Sequence, residues 1–462
     1  MILTGVKTFM NNTIEIRRKV EQELLRWKLS SEGRSAALVV GARRVGKSFV
    51  VEKFAKTNYQ SYILIDFSTA RQEIIDLFSY QSDDLDTFFG MLQALLNIRL
   101  FERNSVIIFD EVQLFPKARE MIKRLVADGR YDYIETGSLM SIKKNTENIL
   151  IPSEEHKIDM FPLDFEEFLW ALGEDMLFDI VRQSFEAKSP LGDSVHRRIM
   201  GLFRQYMVVG GMPQAVLEYA RTKDFTAVDD IKHNILDLYK QDIFKHGGKD
   251  AIFIKAIYEQ IPTQLAKANK RFMFSSIAEG ARYREYADAL LWLADSKIIN
   301  ICYNTTEPTV GLGMRADLAA LKCYQADTGL LVSQCFARKI LSRAELYQKM
   351  ITGKLEFNNG MIMENVVAQM LKATGNDLYY YSETEDRMEI DFVTTKSIIT
   401  SRKNIIPIEV KSGKHYLARS LEKFRNKYPQ QIEKSIILHD GNVSVDNETN
   451  TIYLPVYMAG LI

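Results

Sequence analysis

The sequence has little of what would place it quickly. Among its 462 residues are three cysteines, Cys302, Cys323 and Cys335, in no CxxC or Cys/His spacing. That spacing offers no metal-binding cysteine pair, and buried reduced thiols suit a reducing compartment. No apolar run reaches the ~18 residues a membrane-spanning helix needs, so no membrane span and no membrane partner are expected. The opening stretch MILTGVKTFMNNTIEIRRKV lacks an apolar core followed by small residues. No secretory signal is therefore expected, and the expected location is cytoplasmic. Net charge is missing too, since Lys+Arg and Asp+Glu both total 60. Whole-chain charge points to neither nucleic acid nor membrane, and any basic surface has to be local. What remains is an ordinary globular composition, 46% hydrophobic and 26% charged, in a chain long enough for about two to four domains.

Against that background one stretch is specific. In AALVVGARRVGKSFVVEKFAK, the apolar run Ala36 to Val40 reads as a strand buried on both faces. Gly41-x-x-x-x-Gly46-Lys47-Ser48 then fits GxxxxGK[ST], and Phe49 to Phe54 opens a helix. Strand, loop and helix stand in the order of a Walker A phosphate loop. Its glycines let backbone N–H groups face phosphate oxygens, and the helix N-terminus adds a favourable dipole. Lys47 is expected to reach the β/γ-phosphates and Ser48 to ligate Mg²⁺. The expected nucleotide contacts are Gly41, Arg44, Val45, Gly46, Lys47, Ser48 and Phe49. SVIIFDEVQLFP supplies an apolar strand ending in Asp110-Glu111. Asp110 suits the Walker B role at the metal, and Glu111 suits a general base. SYILIDF and YDYIETGS read as further strands of a mostly parallel sheet. The second ends in Thr136-Gly137-Ser138, where Ser138 or Thr136 could touch the γ-phosphate, although turn chemistry accounts for the tripeptide nearly as well. ATP and Mg²⁺ are the cofactors expected.

The middle, from about Leu163 to Tyr303, reads as helical, broken by a turn at GGMPQAV whose Met212 and Pro213 look structural. SSIAEGA suggests a short helix, YREYADALLWLADS a longer one with a stripe at Tyr286, Leu290, Leu293 and Ala294, and KIINICYN a strand. Helix, turn, helix and strand are the order of a winged helix, flanked by Lys270, Arg271, Arg282 and Arg284. A structural lid or a subunit contact explains the helix pair equally. Further on, GMIMENVVAQMLKAT is a helix with Glu364 early in it, EIDFV is a strand with Asp391, and IIPIEVKSG is a strand with Glu409 and Lys411. Residues i and i+2 of a strand face one side, which puts Lys411 beside Glu409. Basic residues outnumber acidic ones between Arg402 and Lys427, which suits a polyanion.

GARRVGKS, VIIFDEVQLFP, YIETGSLMS and FPLDFEEFL, followed by VVGGMPQAV, LYKQDIFK, CYQADTGLL, MENVVAQML, EIDFV and PIEVKSG, resemble the landmarks of bacterial and archaeal AAA+-type ATPases with a C-terminal domain of unknown function. The helix-Glu, strand-Asp, strand-Glu-x-Lys order of that last domain looks like the PD-(D/E)xK restriction-endonuclease fold. The resemblance implies an α/β chain: a P-loop parallel sheet over 1–165, a helical region with a winged helix over 166–335, and an α+β nuclease-like domain over 336–462. It implies that Asp391 and Glu409 hold Mg²⁺, that Glu364 completes the metal shell, and that Lys411 orients or deprotonates a water. Glu364, Asp391, Glu409 and Lys411 would then be catalytic beside Lys47 and Glu111. An acid–x–Lys strand is also an ordinary ion pair. AAA+ ATPases often take an arginine from a neighbouring subunit, so a homo-oligomer is expected, with Arg124 or Arg130 in trans or Arg43 or Arg44 in cis. The expected function is ATP hydrolysis coupled to a nuclease-like module acting on DNA or RNA. The alternative is an ATP-dependent scaffold, not an enzyme, on a degenerate nuclease fold.

Overall fold

The computed structural model describes residues 16–81, 84–137, 153–336, 343–352, 359–383, 385, 387–396, 403–413 and 419–462. The first sheet has five strands: β1 (Ala36–Gly41), β2 (Ser61–Asp66), β3 (Ser105–Asp110), β4 (Asp132–Gly137) and β5 (Glu155–Met160). Their order is β2-β3-β4-β1-β5 and every pairing is parallel. β1 and β3 are buried along their whole length, which is why their sequences are unbroken apolar runs rather than alternating ones. One face of the sheet packs on Phe78, Phe88 and Leu125, the other on Leu24, Val51 and Phe54. The phosphate loop follows β1 and Asp110-Glu111 ends β3, so both lie at the carboxyl edge, where open α/β sheets hold ligands.

From Phe165 to Asp295 the described chain is helical, as expected. The GGMPQAV break separates helix Asp193–Val209 from helix Pro213–Thr222. It is a close approach of two backbones. The Leu163 N–H donates to the Gly211 carbonyl at 2.7 Å, and a Cβ on Gly211 would strike the Leu163 carbonyl oxygen. The Gly211 N–H donates to buried Asp327 at 2.6 Å. Helix Ala251–Leu265, a 3₁₀ turn Phe274–Ser276 and helix Tyr283–Asp295 lead into the antiparallel pair β6 (Ile299–Thr305) and β7 (Ala316–Gln325). The short helix expected at SSIAEGA is only that 3₁₀ turn.

β6 and β7 do not stand alone. They join β8 (Leu378–Glu383), β9 (Met388–Thr395), β10 (Ile405–Val410), β11 (Ser435–His439), β12 (Ser444–Asp446) and β13 (Thr451–Pro455) in one eight-stranded mixed sheet, ordered β12-β13-β11-β10-β9-β8-β6-β7. One apolar core contains residues from Leu163 to Ala459. The stretches on either side of the expected limit at 335/336 share this sheet and this core. Helix Asn359–Ala373 is buried on nearly every side instead of along one stripe. It lies between the sheet on one side and helix Thr328–Cys335 and the 3₁₀ segment Val456–Leu461 on the other. Among the described residues no helix is long and apolar enough to cross a membrane.

Candidate functional site

The phosphate loop is shaped by its backbone. Gly46 takes φ of +95° at the helix start and Arg44 takes +68°, left-handed values that glycine tolerates and that turn the chain sharply before helix Lys47–Asn58. Gly41 packs its Cα against the Met160 backbone. A buried arginine that the sequence reading missed braces the loop from below. Arg18 donates to the Val45 carbonyl at 3.0 Å, to the Phe161 carbonyl at 2.6 Å and to Glu167 at 3.1 Å. Val45 itself is buried, so of the expected contacts it and Gly41 contribute backbone only.

Lys47 is buried and donates to the Gly41 and Ala42 carbonyls at 3.1 and 3.2 Å. Burial depresses its ammonium, while Glu111 and Asp110 pull the other way. The Ser48 hydroxyl donates to Asp110 Oδ1 at 2.9 Å. Thr136 donates to the same oxygen and accepts the Glu111 N–H at 3.4 Å. Gln113 donates to Glu111, whose backbone sits at φ of +53°. A non-glycine residue held in that region is a strained, fixed position of the kind found at working sites. Thr136 is fully buried, and its hydroxyl is taken up by Asp110. Ser138, the other candidate, lies outside the described residues.

These groups open on a cleft of about 980 Å³ lined by Arg44, Gly46, Lys47, Ser48, Phe49 and Glu111. Its far wall is Pro213, Gln214 and Leu217, brought there by the GGMPQAV turn. Met212 and Pro213, read as structural, thus flank the site, and Pro213 lines it. A second cleft of about 410 Å³ shares Arg43, Lys47 and Glu111 and is walled by Gln241 and Asp242. A separate cavity of about 730 Å³ elsewhere is polar. Its lysines are matched within it: Lys19 to Asp164 and Glu166, Lys157 and Lys297 to Asp159, Lys372 to Asp377. Arg130, a candidate charge stabiliser, is held by Asp128 and Asp86 and precedes β4 at the end away from the loop.

The C-terminal quartet does come together, but in company the sequence reading missed. Glu364 is buried and accepts from Lys322 at 3.1 Å, and from Lys270 and Tyr324. Lys322, also buried, lies 2.8 Å from Glu389 and 4.0 Å from Asp391. Burial alone would raise the Glu364 carboxyl; Lys322 and Lys270 outweigh it and hold it at about 2. Asp391 accepts the Val410 N–H at 2.8 Å. Lys411 Nζ lies 2.5 Å from Glu409, the neighbour that i, i+2 geometry predicted. Burial, then the Asp391 charge, push Glu409 up to about 8, and its buried Oε1 has no donor. Burial tends to lower Lys411, but Glu409 raises it.

This set does not fit the expected metal centre. Among the described residues no group of three or more His, Cys, Asp or Glu is placed to hold a metal ion. A lysine ammonium stands where Glu364, Glu389 and Asp391 converge. Glu364 is thus taken up by Lys322, Lys270 and Tyr324, and Glu409 by Lys411. Lys322 and Tyr324 belong to a stretch, KCYQADTGLL, whose pattern carried no sign of this role.

Three family models match in succession: an AAA domain over residues 33–169, a domain of unknown function (DUF8612) over 200–339, and another (DUF4143) over 359–458. No curated protein matches the sequence. Among solved structures, the chain is similar to the Walker-type ATPase Paby2304 of Pyrococcus abyssi, at 15% identity over 72% of this chain and 99% of that one, TM-score 0.42. It is also similar to the Thermotoga maritima RuvB Holliday junction branch migration motor (11%, 62% and 89%, TM-score 0.29). A third is the Aeropyrum pernix ORC1 protein in complex with DNA (11%, 70% and 94%, TM-score 0.25). The AAA domain model over residues 33–169 agrees with the P-loop, parallel-sheet architecture described above.

Proposed function

We propose that this chain is an ATP-hydrolysing enzyme whose chemistry lies in the cleft between the phosphate loop and helix Pro213–Thr222. The observation that carries the reading is the 2.9 Å contact of Ser48 with Asp110, with Lys47 and Glu111 lining the same cleft. A hydroxyl and a carboxylate side by side are hard oxygen donors and fit Mg²⁺. When bound, the ion would neutralise charge on the phosphate oxygens. The loop N–H groups and the helix N-terminus cradle the phosphates. Lys47 exchanges its carbonyl partners for phosphate oxygens. Glu111, oriented by Gln113, takes a proton from water as that water attacks the γ-phosphorus. The bond to the β–γ bridging oxygen breaks, and ADP and phosphate leave. Thr136 keeps Asp110 in place. Phosphate release by the wild type, lost in Lys47→Ala and in Glu111→Gln, tests the reading. Turnover that survives Lys47→Ala would sink it.

For the rest of the chain, the reading is a module that engages nucleic acid without cutting it. Arg271, Arg282 and Arg284 are exposed around helix Tyr283–Asp295, where phosphates could meet them. The lysine-filled C-terminal cluster supports binding over cleavage. Turnover measured with and without DNA or RNA, followed by inspection of the nucleic acid for nicks, tests both halves. Cleavage lost in Asp391→Ala would restore the nuclease reading.

A further inference from the structure

One residue of the phosphate loop is held from outside its own domain. The Arg43 guanidinium lies 2.5 Å from Asp242 on helix Phe225–His246. One turn earlier on that helix, the Tyr239 hydroxyl donates to the Arg43 carbonyl at 3.1 Å. Residues i and i+3 share a helix face, so this face grips both the backbone and the side chain of the loop. Arg43 also lines, with Lys47 and Glu111, the smaller cleft whose opposite wall carries Asp242, Lys245 and His246. The guanidinium therefore stands between a carboxylate on the helix and the side of the loop where Lys47 and Glu111 meet.

We propose that Arg43 is the residue by which this site tells a nucleoside triphosphate from a diphosphate, and that Asp242 is the competitor that makes the choice matter. The inference rests on the ATP reading above. With a γ-phosphate beside Lys47 and Glu111, the guanidinium fork leaves Asp242 for the phosphate oxygens, which it matches in geometry and charge. With a diphosphate the phosphate partner is absent and the ion pair stands. An ion pair with Arg43 half exposed is weak enough to be outcompeted by a phosphate. Losing it removes one of the two contacts by which helix Phe225–His246 holds Arg43. The same helix carries Asp229, bonded to Ser333 at 2.6 Å and to Tyr347, so a shift there reaches the packing under the eight-stranded sheet. A ligand moves such an equilibrium only by its differential contacts with the two states. Here that contact is named: γ-phosphate against Asp242.

The test uses the full chain, a non-hydrolysable ATP analogue and ADP. Arg43→Ala is expected to weaken the analogue about tenfold and to leave ADP nearly unchanged, within the usual range of such couplings. Asp242→Asn and Asp242→Ala, which free the arginine, are expected to tighten the analogue and not ADP. Unchanged ADP affinity shows in each case that the loop is folded. Hydrogen exchange along residues 225–246 should be faster with the analogue than with ADP in the wild type, and equal in Arg43→Ala. Equal effects of Arg43→Ala on both nucleotides, or none on either, overturn the proposal while leaving the ATP reading intact. A wild type that binds neither nucleotide overturns both.

Discussion

At the carboxyl edge of the first sheet, Lys47 turns to the backbone carbonyls of Gly41 and Ala42, and Asp110 turns to the hydroxyls of Ser48 and Thr136. Across the second sheet, Lys322, Lys270 and Lys411 each touch a carboxylate. Both places join acids and lysines, and both are buried. In the first, acid and base are kept apart by neutral groups, so each stays available to a charged newcomer. In the second they have found one another, so the cluster is already compensated and a newcomer would have to break ion pairs in a low-dielectric setting. Acid and lysine in the same neighbourhood are therefore not a site in themselves. What they are bonded to decides.

Substitutions can break that contrast, beginning with the largest effects. Glu111→Gln should lower turnover by about 10²–10⁴-fold, the share of a general base, while nucleotide binding, read by calorimetry, persists. Lys47→Ala should cost turnover about 10²–10³-fold, as the loss of a charge-stabilising donor does, with binding weakened as well. Lys411→Ala should leave phosphate release unaltered, and a matching loss there would erase the distinction. Lys322→Met removes the ammonium that Glu364, Glu389 and Asp391 share and should destabilise the protein by about 3–5 kcal/mol in urea unfolding. Added Mn²⁺ should restore part of that loss in the variant and not raise the wild type. A wild type that Mn²⁺ stabilises without nucleotide would mean the cluster takes a metal after all.

The smallest effect concerns a buried acid beside Thr136 on β4. Glu135 on β4 has both carboxylate oxygens without donors, and burial, then the charge of Glu155, raise it well above the usual carboxylate range. Arg119 is occupied with Glu155, at 2.6 Å. At pH below the free glutamate value, folded and unfolded chains both hold this proton. Above it the unfolded chain releases the proton and the folded chain keeps it, so wild-type stability falls as pH rises until the folded carboxyl titrates. Glu135→Gln lacks that slope and should gain about 1–3 kcal/mol over wild type at neutral pH and above. A gain independent of pH would rule out titration as the cause.

Much of the nucleotide site was legible because its parts are short-range. The spacing from Gly41 to Ser48 and the apolar run before Asp110 each encode strand, loop and helix within a few residues. Arg18, Pro213 and Gln214 were not legible, since nothing near them in sequence says that they will face the loop. The acid–x–Lys pair was legible for the same local reason, and Glu409 and Lys411 do meet. Its surroundings were not legible, because Lys322 and Lys270, 87 residues or more upstream of Glu409 in the chain, arrive through β7 and the segment before helix Tyr283–Asp295. Helix Asn359–Ala373 shows the same limit, since full burial leaves no polar stripe to read.

The order of local neighbours alone determined the phosphate loop, its strand and its helix, and it set Glu409 beside Lys411, because backbone geometry over a few residues leaves little choice. Which cation each carboxylate would meet was decided only when distant strands paired and helices closed over them. Electrostatic partnership depends on distance in space and on exclusion of water, and neither can be read from spacing along the chain.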